Sequence, residues 1–195
     1  MICALFGLDQ QIITIDNSKL EWNHESYPFS NWEADQTLSS AMKYSVNWYF
    51  DTILSSLSTE MQSNYLRLLQ YGNQSPKDTS SIFGMETSLK ISPVEQVLLL
   101  TRLYKNELSF STDQMNAVKD SLYITSSTHG KLYGKTGTGR IDEKDTNGWF
   151  IGYVISDTNT YIFATNIQAS DYANGKTAST LTLAILSMLH LWDES

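Results

Sequence analysis

The chain has 195 residues, 41% of them hydrophobic, with five tryptophans, which suits one packed domain and excludes a disordered segment. Its formal net charge of -8 speaks against a nucleic-acid or anionic-membrane partner. The lone cysteine, Cys3, cannot form an internal disulfide, and His24, His129 and His190 are too scattered for a zinc pattern, so neither metal nor cofactor is expected.

In chain order, Met1–Leu8 is apolar but lacks a basic n-region and a small-residue cleavage site. It reads as the later part of a buried helix, not a signal peptide, and no apolar run approaches the ~20 residues of a membrane span. A polar, irregular run follows to Asp35, with aromatic anchors in Tyr27–Trp32. Thr37 can cap one helix through Leu38–Phe50, and Ser58 a second that ends at the turn pair Gly72-Asn73. Ser92, Pro93 and Glu95 make a capping box for a third, whose apolar face is Leu98, Leu99, Leu100, Leu103 and Tyr104. Ser111 with Gln114 repeats the signal. After about Ser127 the texture changes. Lys131–Gly139 looks like a strand ending in a glycine turn. The runs at Gly148–Ser156 and Thr160–Gln168 are aromatic and β-branched strands joined as a hairpin. Thr177–Trp192 is an apolar helix suited to a sheet face. The pattern predicts an α+β fold.

Three short motifs carry chemistry. Lys135-Thr136-Gly137-Thr138-Gly139 would give a reactive centre a positive charge, hydroxyl donors for a substrate carboxylate, and a glycine that lets a substrate backbone approach. Alone, it reads equally well as a strand end with a glycine turn. Ser45-Val46-Asn47 sets a hydroxyl for proton relay two residues from an amide; alone, it is a common surface triplet. Tyr71-Gly72-Asn73 is a helix end with Gly or Asn in the left-handed conformation. Ser40-Ala41-Met42-Lys43 fits Ser-x-x-Lys literally. On one continuous helix, however, Ser45 lies roughly 140° around from Ser40, so Ser40 is not expected to be a nucleophile.

In this order the motifs resemble the active-site elements of class D β-lactamases and of the penicillin-sensing domains of BlaR/MecR-type sensor–transducers, within the serine β-lactamase and penicillin-binding protein superfamily. Ala4–Leu8, Ser30–Phe50, Ser88–Gln96, Asn147–Tyr153 and Phe163–Gln168 match as well, in family order. Asn47 replaces the apolar residue usual in the enzymes, and Phe163–Gln168 is closer to the sensor branch. The resemblance implies a single β-lactamase/transpeptidase-like domain over residues 1–195. It would be mostly helical at about 37–127, with sheet and C-terminal helix at about 128–195, in a fold built on a five-stranded antiparallel sheet with flanking helices.

By resemblance, Ser45 is the catalytic proton relay. Asn47, Lys135, Thr136, Gly137 and Thr138 bind substrate, and Tyr71, Gly72 and Asn73 form a structural motif. The family's nucleophilic Ser-x-x-Lys and N-terminal strands align before Met1, so residues 1–195 alone are expected to be inactive. Two further departures are Phe83-Gly84, where many of the enzymes carry Phe-Trp, and the absence of a carboxylate-binding arginine near Ala178, where only Lys176 or Thr177 stands close. The implied function is a β-lactam sensor; a hydrolytic class D β-lactamase and a catalytically dead paralogue are the alternatives. The implied ligands are β-lactams or peptidoglycan-like peptides, and the family location is extracytoplasmic. An uncovered sheet edge would favour self-association.

Overall fold

The computed structural model describes residues 1–74 and 89–193. The architecture is α+β, with a four-stranded antiparallel sheet and helices among these residues. The chain forms two compact units, Met1–Gln70 with Leu103–Leu122, and Tyr71–Arg102 with Tyr123–Ser195.

The first unit is helical. Helix α1 (Ile2–Asp9) is buried from Ile2 to Leu8, as its composition requires. Phe6 stacks on Tyr65, with ring centroids 4.5 Å apart, and burial pushes the Cys3 thiol up to about 11. The stretch expected to form one helix from Leu38 to Phe50 is two helices, α2 (Leu38–Tyr44) and α3 (Asn47–Ser55). Ser45 breaks the run by taking a left-handed conformation, φ 54° and ψ 45°, which ends a helix for an L-residue. The Val46 N–H then reaches back to the Ala41 carbonyl at 2.9 Å, a Schellman-type end.

Helices α4 (Thr59–Leu69) and α6 (Thr112–Ser121) start at Ser58 and Ser111 as the capping signals require. Helix α4 ends at Gln70, itself left-handed at φ 53°, not at Gly72-Asn73. Helix α5 (Pro93–Tyr104), which belongs to the second unit as far as Arg102, begins with the expected reciprocal bonds: the Ser92 N–H donates to Glu95 Oε2 at 2.7 Å, and the Glu95 N–H to Ser92 Oγ at 3.3 Å. Its buried positions are Gln96, Leu99, Leu100 and Leu103, whereas Leu98 is 59% exposed. The 3.6-residue period selects Gln96 for the stripe and rejects Leu98.

In the second unit the sheet order is β1-β2-β3-β4, with β1 (Tyr123–Ser127), β2 (Gly130–Ile141), β3 (Lys144–Ile155) and β4 (Thr160–Gln168). The sheet begins at Tyr123, before the change of texture near Ser127. Strand β2 does not turn at Gly139. Gly137 and Gly139 stay in the ladder opposite Trp149 and Asn147. The turn is Asp142-Glu143, with φ 48° and 63°, the two-residue geometry that matches strand twist. Helix α7 (Gly175–Met188) packs on this sheet, where Leu132, Val154, Leu186 and Trp192 form a core. No helix of the described residues is long and apolar enough to cross a membrane.

Candidate functional site

Ser45 and Asn47 sit at the corner between α2 and α3. The buried Val46 between them holds the corner to the core, leaving Ser45 half-buried and Asn47 exposed at the first position of α3. Neighbouring aromatics fix the corner: Trp48 Nε1 donates to the Trp32 carbonyl at 2.9 Å, and Tyr49 Oη to the Ser18 carbonyl at 2.7 Å. Ser40 serves a helix cap instead. Its Oγ accepts the Thr37 N–H at 2.9 Å and donates to Gln36 Oε1 at 2.8 Å. The Lys43 ammonium sits 5.4 Å from the centre of the Tyr44 ring. The literal Ser-x-x-Lys match is therefore a capping element.

Lys135, Thr136, Gly137 and Thr138 are consecutive on β2, in the second unit. Strand β1 pairs only with Gly130–Tyr133, so from Gly134 onward β2 has β3 on one side and no described strand of the sheet on the other. Such an edge offers main-chain N–H and C=O groups to an extended amide. Lys135 is half-buried and its Nζ donates to the Thr136 carbonyl at 2.8 Å. Burial lowers Lys135 to about 8, because loss of water disfavours the charged form.

Thr136 and Thr138 are exposed, and Thr138 has a second task. Its Oγ1 accepts the Gly175 N–H, at the start of α7, at 3.0 Å. That use of the oxygen leaves the hydroxyl proton for a ligand. Gly175 lies so close that a Cβ there would meet Thr136 Cβ at 2.8 Å and the Gly137 carbonyl oxygen at 3.0 Å. Asn174 caps α7 through the Thr177 N–H. The Asn174-Gly175 pair is the supporting element that sequence reasoning missed, although Asn followed by Gly ahead of an apolar run was a readable cap signal. Ala178, near which the family arginine would align, is fully buried.

Tyr71, Gly72 and Asn73 form a tight loop in the second unit. Gly72 is left-handed (φ +51°), and a Cβ there would lie 1.8 Å from the Lys90 carbonyl oxygen, so only glycine fits. The Asn73 N–H donates to that carbonyl at 2.9 Å, and Asn73 Oδ1 accepts the Lys90 N–H at 3.0 Å. Tyr71 Oη accepts from the buried Gln96 Nε2 at 3.2 Å. Phe83-Gly84 falls outside the described residues. No group of three or more His, Cys, Asp or Glu side chains able to hold a metal occurs among the described residues.

The model of the penicillin binding protein transpeptidase domain matches residues 1–187. The chain belongs to this family. As a transpeptidase-type domain it is 38% identical over 188 residues to the methicillin resistance mecR1 protein of Staphylococcus aureus, covering 96% of this chain and 32% of that protein. It is 33% identical over 186 residues to the probable beta-lactamase YbxI of Bacillus subtilis, covering 95% and 67%. Among solved structures, the domain resembles the C-terminal domain of the Bacillus licheniformis BlaR penicillin-receptor, with TM-score 0.92, 37% identity and coverage of 98% of this chain and 77% of that one. It also resembles a class D beta-lactamase from Bacillus subtilis, with TM-score 0.89, 32% identity and coverage of 99% and 79%. The chain spans about a third of the length of the mecR1 and BlaR1 proteins that it matches.

Proposed function

We propose that residues 1–195 form one β-lactam-binding domain of sensor type, extracytoplasmic in its full gene product and acylated there on a serine outside these residues. The observation that carries the reading is the lysine-bearing open edge of β2. An ammonium and two exposed threonine hydroxyls succeed one another over Lys135–Thr138, on a stretch of β2 that β1 does not reach. A penicillin presents a carboxylate beside an amide, the complementary set for such an edge. In this reading Lys135 and Thr136 take the carboxylate, Thr138 adds its proton, and Gly137 lets the ligand approach. Ser45 relays a proton and Asn47 holds an amide, while Tyr71–Asn73 shape a loop. A peptidoglycan-like peptide, with its terminal carboxylate, suits the same edge.

The similarity to sensor proteins, at 38–41% identity, favours the sensor reading. The similarity to the probable beta-lactamase YbxI supports hydrolysis as the second reading.

Fluorescent penicillin tests the proposal. Residues 1–195 alone are expected to carry no label after denaturation. A gene product that includes an upstream Ser-x-x-Lys is expected to retain one equivalent. A denaturation-resistant label on residues 1–195 would overturn the assignment of the nucleophile and direct attention to Ser40 or Ser45. Many turnovers of nitrocefin by the longer product would replace the sensor reading with the hydrolase.

A further inference from the structure

Strands β2 and β3 slip register just beyond Thr138. Gly139 faces Asn147, but Arg140 faces Asp145, so Thr146 is an extra residue on β3. Thr146 forms an isolated parallel bridge with Ala173 instead, and its carbonyl accepts the Ala169 N–H at 3.3 Å. A bulge of this kind bends its strand and re-aims what lies beside it. Here it hands the backbone of β3 to the connection between β4 and α7.

Asp145 binds that connection through backbone and side chain together. Its N–H donates to Asp171 Oδ1 at 3.2 Å, and its carbonyl accepts the Ala173 N–H at 2.8 Å. Its Oδ2 accepts Asn174 Nδ2 at 3.2 Å, while Oδ1 accepts Arg140 Nε at 2.6 Å. The Arg140 side chain is 69% exposed, so the ion pair by itself contributes little. Its effect is to fix the carboxylate with the other oxygen on Asn174. Asn174 caps α7 and precedes Gly175, whose N–H donates to Thr138 Oγ1. The Asn174 carbonyl lies against Gly148, and Gly175 against Thr136 and Gly137. Close contact on both residues carries any movement of Asn174 to the hydroxyl-bearing stretch of β2. We propose that Asp145 is a positioning residue for ligand recognition: through Asn174 and Gly175 it holds the Thr138 oxygen as an acceptor, and so aims the Thr138 proton at the ligand carboxylate. This rests on the β-lactam reading of the β2 edge and adds to it a residue outside that edge.

Amide NMR and calorimetric titration with benzylpenicillin test the proposal together. In Asp145→Ala, solvent exchange of the Gly175 amide is expected to rise about tenfold or more. Affinity is expected to fall roughly two- to tenfold, the worth of one hydrogen bond. Thr138→Val should weaken binding by a similar factor, and Asp145→Ala added to it should cause no further loss. Asn174→Asp alone sets two carboxylates against each other and should lose both amide protection and affinity. Adding Asp145→Asn exchanges donor and acceptor and keeps a capping oxygen for α7, so both should return, a recovery that a merely weakened fold would not give. A Gly175 amide as protected in Asp145→Ala as in the unaltered chain overturns the proposal. So does a loss that adds to that of Thr138→Val, or a double substitution that does not recover. Absence of binding by the unaltered chain would refute the β-lactam reading instead, and the Gly175 amide would still decide whether Asp145 holds the tie to Thr138.

Discussion

Replacing Lys135 with alanine is expected to weaken binding of a carboxylate-bearing β-lactam roughly ten- to a hundredfold at pH 7. That range follows from losing a charge-assisted hydrogen bond worth about 1.5–3 kcal/mol. The effect carries a pH signature. Burial places Lys135 at about 8, so the ammonium that attracts the carboxylate is present below that value and lost above it. Affinity should therefore fall as pH rises from 7 to 9. Lys135→Arg keeps its charge throughout and should flatten the profile, and calorimetric titration of the three proteins at three pH values checks this.

The stability sign runs the opposite way. The folded value lies below the ordinary 10.5, so folding disfavours the charged form. The penalty is fully present below about 8 and is relieved as pH rises from there towards 10.5. Denaturant unfolding of Lys135→Ala should lack that alkaline gain.

The second large effect is on the fold that supports β2. Gly148 lies on β3, opposite Thr138. A Cβ at Gly148 would lie 2.3 Å from the Asn174 carbonyl oxygen and 2.9 Å from the Asn174 nitrogen. The three nearest atoms are all Asn174 backbone, so no flexible side-chain end can give way. Gly148→Ala is therefore expected to displace the start of α7 and cost on the order of 2–3 kcal/mol. For a chain of this size, that lowers the melting temperature by roughly 5–10 °C. Gly137→Ala is the contrast. A Cβ there meets only Trp149 Cβ, at 3.6 Å, an ordinary contact. Its melting temperature should stay within about 2 °C of the unaltered chain, while ligand approach to the strand suffers. Calorimetric melting of both variants separates support of the fold from ligand access.

These two positions show what the sequence could and could not reveal. Capping signals at Thr37, Ser58, Ser92 and Ser111 located helix starts, because a cap is a local bond between residues three apart. The aromatic and β-branched runs located β3 and β4 for the same local reason. The break at Ser45 was not legible, since an L-residue at φ 54° is sustained by the buried Val46 and Tyr49 around it. The exposure of Leu98 and burial of Gln96 depended on which face of α5 met the core. The tie from Gly175 to Thr138 joins residues 37 apart, beyond any local pattern. The candidate site residues were picked out by a spacing that resembles a family. Their supports were not, because long-range packing creates them.

Recognition of β-lactams by the edge of β2 is open to direct observation by NMR. Residues 1–195, labelled with 15N, would be titrated with benzylpenicillin at pH 7 and followed by amide NMR. Saturable shifts centred on the Lys135–Gly139 amides, lost in Lys135→Ala, are expected. An unchanged spectrum, shifts confined to other parts of the chain, or shifts that survive Lys135→Ala would contradict it.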